Sequence, residues 1–275
     1  MKRESPIAVE AAFSVAYEDE DVLVVDKAAP LLMHPTGGNE EPTLWHGVRE
    51  LLAYELATGG QVSLINRLDR ETSGLVLIAK NSRAAHELGC AMQQRLVHKR
   101  YMAVVQGMPP WESACCAEPI LRMETVAPTR VHVRQACHPA GKACSTAFRV
   151  LKRVQSRGAG LPSMSLLECI PYTGRMHQIR VHAAYVGYPL VGDKIYGGDE
   201  TCYLRFMEAG WTHDLARELR LPRHALHAYR LEFSLGGRQI EVQAPLPADM
   251  AALIGDAHLQ MPDSSSQILH MGNAV

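Results

Sequence analysis

The sequence predicts an α+β fold in which a central mixed, largely antiparallel sheet is flanked by helices. Three observations lead there. Short apolar, β-branched runs outnumber the segments with helical apolar spacing. Gly236-Gly237 sits between two such runs, the signal of a tight hairpin. No internal repeat or linker divides residues 17–248, so the runs belong to one body. The organisation expected is a flexible tail over residues 1–16, one domain over 17–250, and a disordered tail over 251–275 that contains Ser264-Ser265-Ser266.

The elements follow in order. Residues 17–21 form an acidic turn, and Val22-Leu23-Val24-Val25 reads as the first strand. Pro30, Pro35, Gly37 and Gly38 mark the loop after it. Leu44, Val48, Leu51, Leu52 and Leu56 have helical spacing behind Thr43, a capping residue. Residues 74–80 form an apolar run bounded by Gly74 and read as a buried strand. Asn81 or Ser82 then caps a helix reaching Arg95. Residues 99–107 alternate like a strand and end at Gly107, Pro109 and Pro110. Residues 131–134, 145–151 and 164–170 are further strands, with a turn over 155–162 between the last two. Helices are expected over 174–186, capped by Thr173, and over 214–221. The hairpin strands are 226–233 and 239–244.

Composition narrows the function. The 275 residues are 47% hydrophobic and 21% charged, as in ordinary globular proteins. No apolar run approaches the roughly 18 residues of a membrane span, and the polar N-terminus lacks an apolar signal core. Seven cysteines at scattered spacings, with no C-x-x-C pair, argue against a disulfide framework and for a reducing cytoplasm. Neither the cysteines nor the thirteen histidines have metal-ligand spacing, so no metal is expected. The net charge of −1 conceals an asymmetry. Residues 67–180 hold 17 Lys and Arg against 7 Asp and Glu, while the remainder holds 11 against 22. A basic middle between acidic flanks suits a polyanion-binding face, and equally an uneven solvated surface.

Three segments can carry chemistry. In Arg67-Leu68-Asp69-Arg70-Glu71-Thr72-Ser73-Gly74 one carboxylate stands between two arginines at the entrance of a buried strand. Flanking cations favour an ionised carboxylate, the form a nucleophile needs. On spacing alone this is also an ordinary charged turn. The second segment, residues 172–182, crowds Arg175, His177, Gln178 and Arg180 at a helix start, where donors can read phosphates or bases. His177 and His182 are five apart, so they are not the i, i+4 zinc pair. Tyr101 is the third candidate. It fits a core aromatic at a strand edge, or a platform for a flipped base.

Together these segments resemble the RluA-type RNA pseudouridine synthases. Residues 67–80 are similar to the family's central motif, residues 99–107 to its tyrosine motif, and residues 173–182 to its third motif. Gly192-Asp193-Lys194-Ile195-Tyr196-Gly197-Gly198 resembles the glycine-rich segment that follows. Residues 22–27 and 225–247 resemble flanking segments, so the likeness runs over residues 17–250 in family order. It implies a pseudouridine synthase fold with an RNA-binding cleft across its sheet. It implies that Asp69 is the nucleophile, that Tyr101 packs on the target base, and that Arg180 pairs with Asp69. Arg67, Arg70, Thr72, Arg175, His177 and Gln178 are the substrate-binding set it suggests. The substrate implied is structured RNA, ribosomal or transfer. From the residues themselves no cofactor, nucleotide or membrane partner is expected, and a monomer is the default because there are no exposed apolar heptads.

Two departures stand out. Many members carry histidine where this chain has Asn66, which keeps a hydrogen-bonding side chain but cannot titrate near neutrality. Many also carry a small N-terminal RNA-binding domain of the S4 type, for which a first strand near Tyr17 leaves no room. The competing reading is a non-catalytic RNA-binding factor on the same scaffold. That reading calls for a damaged Asp–Tyr–Arg set, and all three residues are present. A metal-dependent hydrolase finds no support in the histidine spacing.

Overall fold

The computed structural model describes residues 13–35, 41–155 and 163–255. In chain order the elements are β1 (Phe13–Glu18), β2 (Val22–Lys27), α1 (Leu44–Leu51), α2 (Ala53–Ala57), β3 (Ser63–Leu64), β4 (Ser73–Ala79), α3 (Ser82–Gln93) and β5 (His98–Gln106). There follow β6 (Ser113–Cys116), β7 (Ile120–Arg122), β8 (Gln135–Cys137), β9 (Thr146–Val154), β10 (Met164–Pro171) and α4 (Gln178–Tyr185). The last are α5 (Thr201–Ala209), α6 (His213–Leu219), β11 (Leu226–Leu235), β12 (Arg238–Gln243) and α7 (Ala248–Ile254). The class is α+β, as the strand-rich pattern predicts. The described residues divide into two compact units, those within 1–99 and 228–244 and those within 100–227 and 245–255.

In the first unit the strand order is β1-β2-β4-β11-β12, with β3 against the end of β4. All seven residues of β4 are buried, which is why its sequence is a continuous apolar run and not an alternation. One face of the sheet presents Val22, Val24, Leu75 and Leu77 to Ala84 and Leu88 of α3. Asn81 starts α3 by accepting the Ala84 N–H at 2.9 Å, and Thr43 starts α1 by accepting from His46 N. Gly74 has φ +113, and a Cβ there would lie 2.3 Å from the Ala228 carbonyl oxygen. Only glycine lets β4 enter the sheet so close to β11.

Asp26 ends the row begun by Val22 and Val24, opposite Leu75 in the ladder. Burial pushes its carboxyl up to about 6, against the opposing pull of Lys27. A folded pKa above the unfolded one means the cost is absent below the unfolded value of 3.8, grows as pH rises to about 6, and is fully present above that. Asp26→Asn is therefore expected to stabilise the protein by about 1–2 kcal/mol at pH 7.5 and to approach neutrality as the pH falls below the unfolded value of 3.8. Urea melts in the two pH ranges test this; equal stabilities of variant and parent at pH 7.5 would refute it.

In the second unit the strand order is β5-β10-β9-β6, each neighbouring pair antiparallel. Tyr101 stands opposite Cys169 in this ladder. Glu168 is fully buried on β10 between Arg149 at 2.8 Å and Arg100 at 3.4 Å, so its charge is matched inside the sheet. Residues 190–191 and 225 run beside β5. Val191 N donates to the Val104 carbonyl, Ala225 N to that of Val191, and Val104 N to that of Ala225. β7 and β8 make a separate two-stranded ladder. Helix α4 is buried over Gln178 to Ala183, polar residues included.

The structure moves several expected elements. The first strand begins at Phe13, inside the segment read as a tail, because β1 pairs with β2. Residues 131–134 are not a strand. Arg134 N donates to the Val131 carbonyl and closes a turn, and β8 starts one residue later. The helix expected from Gly174 starts at Gln178, since His177 takes φ +56 and breaks the helical path before it. Helix α7 runs through residues 251–254, read as tail, and buries Met250, Ala251 and Ile254. The disorder expected beyond residue 255, and most of the turn expected over 155–162, lie outside the described residues.

Candidate active site

Asp69 lies on the loop joining β3 to β4, and the residues around it hold the loop at several points. Thr72 N donates to the Asp69 carbonyl at 3.1 Å, which closes a turn around Arg70 and Glu71. Leu68 is buried and anchors the near side. The Arg70 carbonyl accepts from Leu31 N at 2.9 Å and from Lys27 Nζ at 3.2 Å. Lys27 is 0% exposed, and its ammonium also donates to the carbonyls of Ala28 and Leu31, at 3.0 and 3.1 Å. A buried cation thus binds the loop after β2 to the loop bearing Asp69.

Asn66 holds the other side. Its Oδ1 accepts from Leu77 N at 2.7 Å and its Nδ2 donates to the Leu75 carbonyl at 3.2 Å. The side chain thereby supplies β4 with the donor and acceptor that a neighbouring strand would supply. The departure at position 66 is a matter of loop anchoring. Asn66→Ala is expected to cost about 2–4 kcal/mol, since it strands a buried N–H and C=O. Urea denaturation measures this, and a loss below about 1 kcal/mol would show that the amide is not needed.

Around Asp69 the candidate substrate contacts separate. Arg67 is exposed, and no hydrogen bond or ion pair holds its side chain among the described residues. Arg70 is exposed and pairs with Glu41 at 3.1 Å, a surface contact that a phosphate can replace. Thr72 is only 2% exposed, so it belongs to the interior of the loop.

The second unit holds the other candidates. Tyr101 is buried on β5, on the strand face opposite Arg100 and Met102. The segment before α4 is organised by Gln178, which is buried. Its Oε1 accepts from Thr173 Oγ1 at 2.6 Å and Arg175 N at 3.0 Å, and its Nε2 donates to the Ser145 carbonyl at 2.9 Å and Thr146 Oγ1 at 3.0 Å. With its amide so engaged, Gln178 builds the turn that presents Arg175. That guanidinium is exposed and reaches the Ala143 carbonyl at 3.4 Å. His177 Nδ1 lies 2.9 Å from the Tyr196 hydroxyl, which accepts from Gln135 N at 2.8 Å.

Arg180 is 5% exposed and gripped by Asp193, with Nε to Oδ2 at 2.7 Å and Nη2 to Oδ1 at 2.9 Å. Burial alone would raise the Asp193 carboxyl. The Arg180 charge and hydrogen bonds overcome this, with help from His224 and Ile195 N, and hold it well below the usual carboxylate range. Lys27 and Asp193 were not singled out in the sequence as site residues. The glycine-rich run from Gly192 was visible there, but the role of its aspartate was not. Among the described residues no three His, Cys, Asp or Glu side chains converge as metal ligands do.

Comparison with known proteins agrees with these motifs. The pattern of the family described as RNA pseudouridylate synthase matches residues 21–185. The chain belongs to that family. The matched span includes Asp69, Tyr101 and Arg180. The synthase is 35% identical over 245 residues to the ribosomal large subunit pseudouridine synthase D of Haemophilus ducreyi, covering 88% of this chain and 69% of the relative. It is 37% identical over 257 residues to the protein of the same name from Nitrosomonas europaea, covering 91% and 67%. Among solved structures, human RNA pseudouridylate synthase domain containing 1 superposes on the synthase with a TM-score of 0.65 at 26% identity, covering 88% of this chain and 86% of that one.

Proposed function

We propose that this pseudouridine synthase isomerises uridine in the RNA of the large ribosomal subunit, with Asp69 as nucleophile. The observation that carries the reading is the Asp69 loop. One carboxylate between two exposed arginines is fixed by Lys27, Leu68 and Asn66 and lies inside the family match. The ribosomal substrate is supported by the names of relatives 35% and 37% identical over most of the chain.

The chemistry follows from the groups present. Pseudouridine forms when the N1–C1′ bond of uridine breaks, the base turns, and C5 joins C1′, the C5 proton leaving and N1 taking up one in its place. No redox change occurs and no energy source is needed. The uridine must leave its stack, at a cost of a few kcal/mol, before a carboxylate can reach it. Asp69 then attacks C1′, assists a glycal route after base departure, or attacks C6. In the first two, charge develops at C1′ as in glycoside cleavage, and the carboxylate stabilises it. Tyr101 packs on the base, and Arg180 pairs with Asp69 to hold it ionised and aimed. Arg67, Arg70 and Arg175 take the phosphates of the surrounding RNA.

The test is to incubate the purified protein with unmodified large-subunit ribosomal RNA and, separately, with unmodified transfer RNA. Carbodiimide modification and primer extension then locate pseudouridine. New stops at defined uridines in the ribosomal RNA are expected. Modification of transfer RNA alone would overturn the substrate, and stops in neither would overturn the reading as a whole.

A further inference from the structure

We propose that Asp193 is a positioning residue for the isomerisation, setting the direction in which Arg180 presents its guanidinium. The inference rests on the reading of Arg180 as the partner of Asp69.

The two contacts from Asp193 form a fork. They take Nε and Nη2 of Arg180, so both the plane and the in-plane direction of the guanidinium are fixed. The Tyr196 ring lies 5.1 Å from the Arg180 guanidinium carbon and covers one of its faces. The hydroxyl of that ring is tied to Gln135 N and His177 Nδ1, so the cover is itself held in place.

Asp193 cannot drift either. Its Oδ1 accepts from the backbone N–H groups of Ile195 and Tyr196, at 3.0 and 3.1 Å, and its carbonyl accepts from Gly197 N at 2.8 Å. The turn that carries it presses on a neighbouring segment. Gly192 has φ +78, and a Cβ there would lie 2.0 Å from the Arg223 carbonyl oxygen. Arg223 is in turn clamped by Asp249, at 2.7 and 2.8 Å. Ile195, Tyr196 and Gly197 thus tie down Asp193, and Gly192 lets the turn that carries it pack against Arg223.

Stability alone does not call for this arrangement. A buried ion pair can be replaced by packed apolar side chains at little loss, whereas an aimed guanidinium cannot. A side chain placed about 1 Å from its working position can lower turnover by about 100-fold.

The experiment compares Asp193→Glu, Asp193→Asn, Arg180→Lys and the double variant Arg180→Lys/Asp193→Asn, using the full chain and ribosomal RNA. Asp193→Glu keeps the charge but adds a methylene, so it decides the matter if Asp193→Asn does not fold. The expected result is kcat reduced about 10- to 100-fold in Asp193→Glu, with KM for RNA within about twofold of the parent. The double variant should be no slower than the slower single variant, because Asp193 acts through Arg180. Two results overturn the inference: Asp193→Glu turning over like the parent while Arg180→Lys is crippled, or losses that multiply in the double variant. Parent-like turnover of Arg180→Lys would instead overturn the pairing of Arg180 with Asp69, a separable failure.

Discussion

Asp69→Asn should lower uridine isomerisation by on the order of 10⁴-fold or more while leaving RNA affinity within about threefold of the parent. Asparagine matches aspartate in shape but has no charge to attack with or to stabilise a cation at C1′. The turn around Asp69 is closed by backbone atoms, from Thr72 N to the Asp69 carbonyl, so the substitution leaves the loop standing. Primer extension after carbodiimide treatment reads the first quantity, and filter binding at fixed salt reads the second. Turnover within tenfold of the parent would remove Asp69 from the role of nucleophile. A parallel collapse of affinity would mean that the carboxylate shapes the RNA-binding surface as well.

The largest effect on stability is expected at Lys27. Lys27→Met keeps most of the aliphatic stem and deletes the ammonium, leaving the carbonyls of Ala28, Leu31 and Arg70 without that donor in a buried place. The expected cost is roughly 3–5 kcal/mol, a large share of what a domain of this size has to spare. Urea denaturation measures it. A loss under about 1 kcal/mol would show that water or relaxation replaces the ammonium. Because the Arg70 carbonyl is among the acceptors of this ammonium, activity in folded Lys27→Met should fall further than the folded fraction accounts for.

These two residues illustrate what a sequence makes legible. Asp69, Tyr101 and Arg180 each sit in a long local string, and such strings can be read without knowing the fold. β2 and β4 were readable because both faces of each are covered, which forces an unbroken apolar run. β1 was not, because its alternation is weak and three of its six residues in a row are exposed. The partner of Arg180 was out of reach for another reason. Asp193 is thirteen residues on, beyond a helix and a turn, and only the fold brings the two side chains together. Gln178 and Thr72 show the converse. A donor inside a motif was read as an RNA contact, while burial gives Gln178 four internal partners and places Thr72 in the loop interior. Motif membership marks a residue as needed without saying whether substrate or scaffold needs it.

Asn66 carries a consequence for acid tolerance. The position must offer one acceptor, to Leu77 N, and one donor, to the Leu75 carbonyl. A neutral imidazole has one of each, but a protonated imidazole has two donors and no acceptor. With histidine at this position the anchor would come loose as the pH fell through the ordinary imidazole range near 6.5. A carboxamide has no such transition, so in this synthase the fastening of β4 beside its candidate nucleophile is indifferent to mild acid.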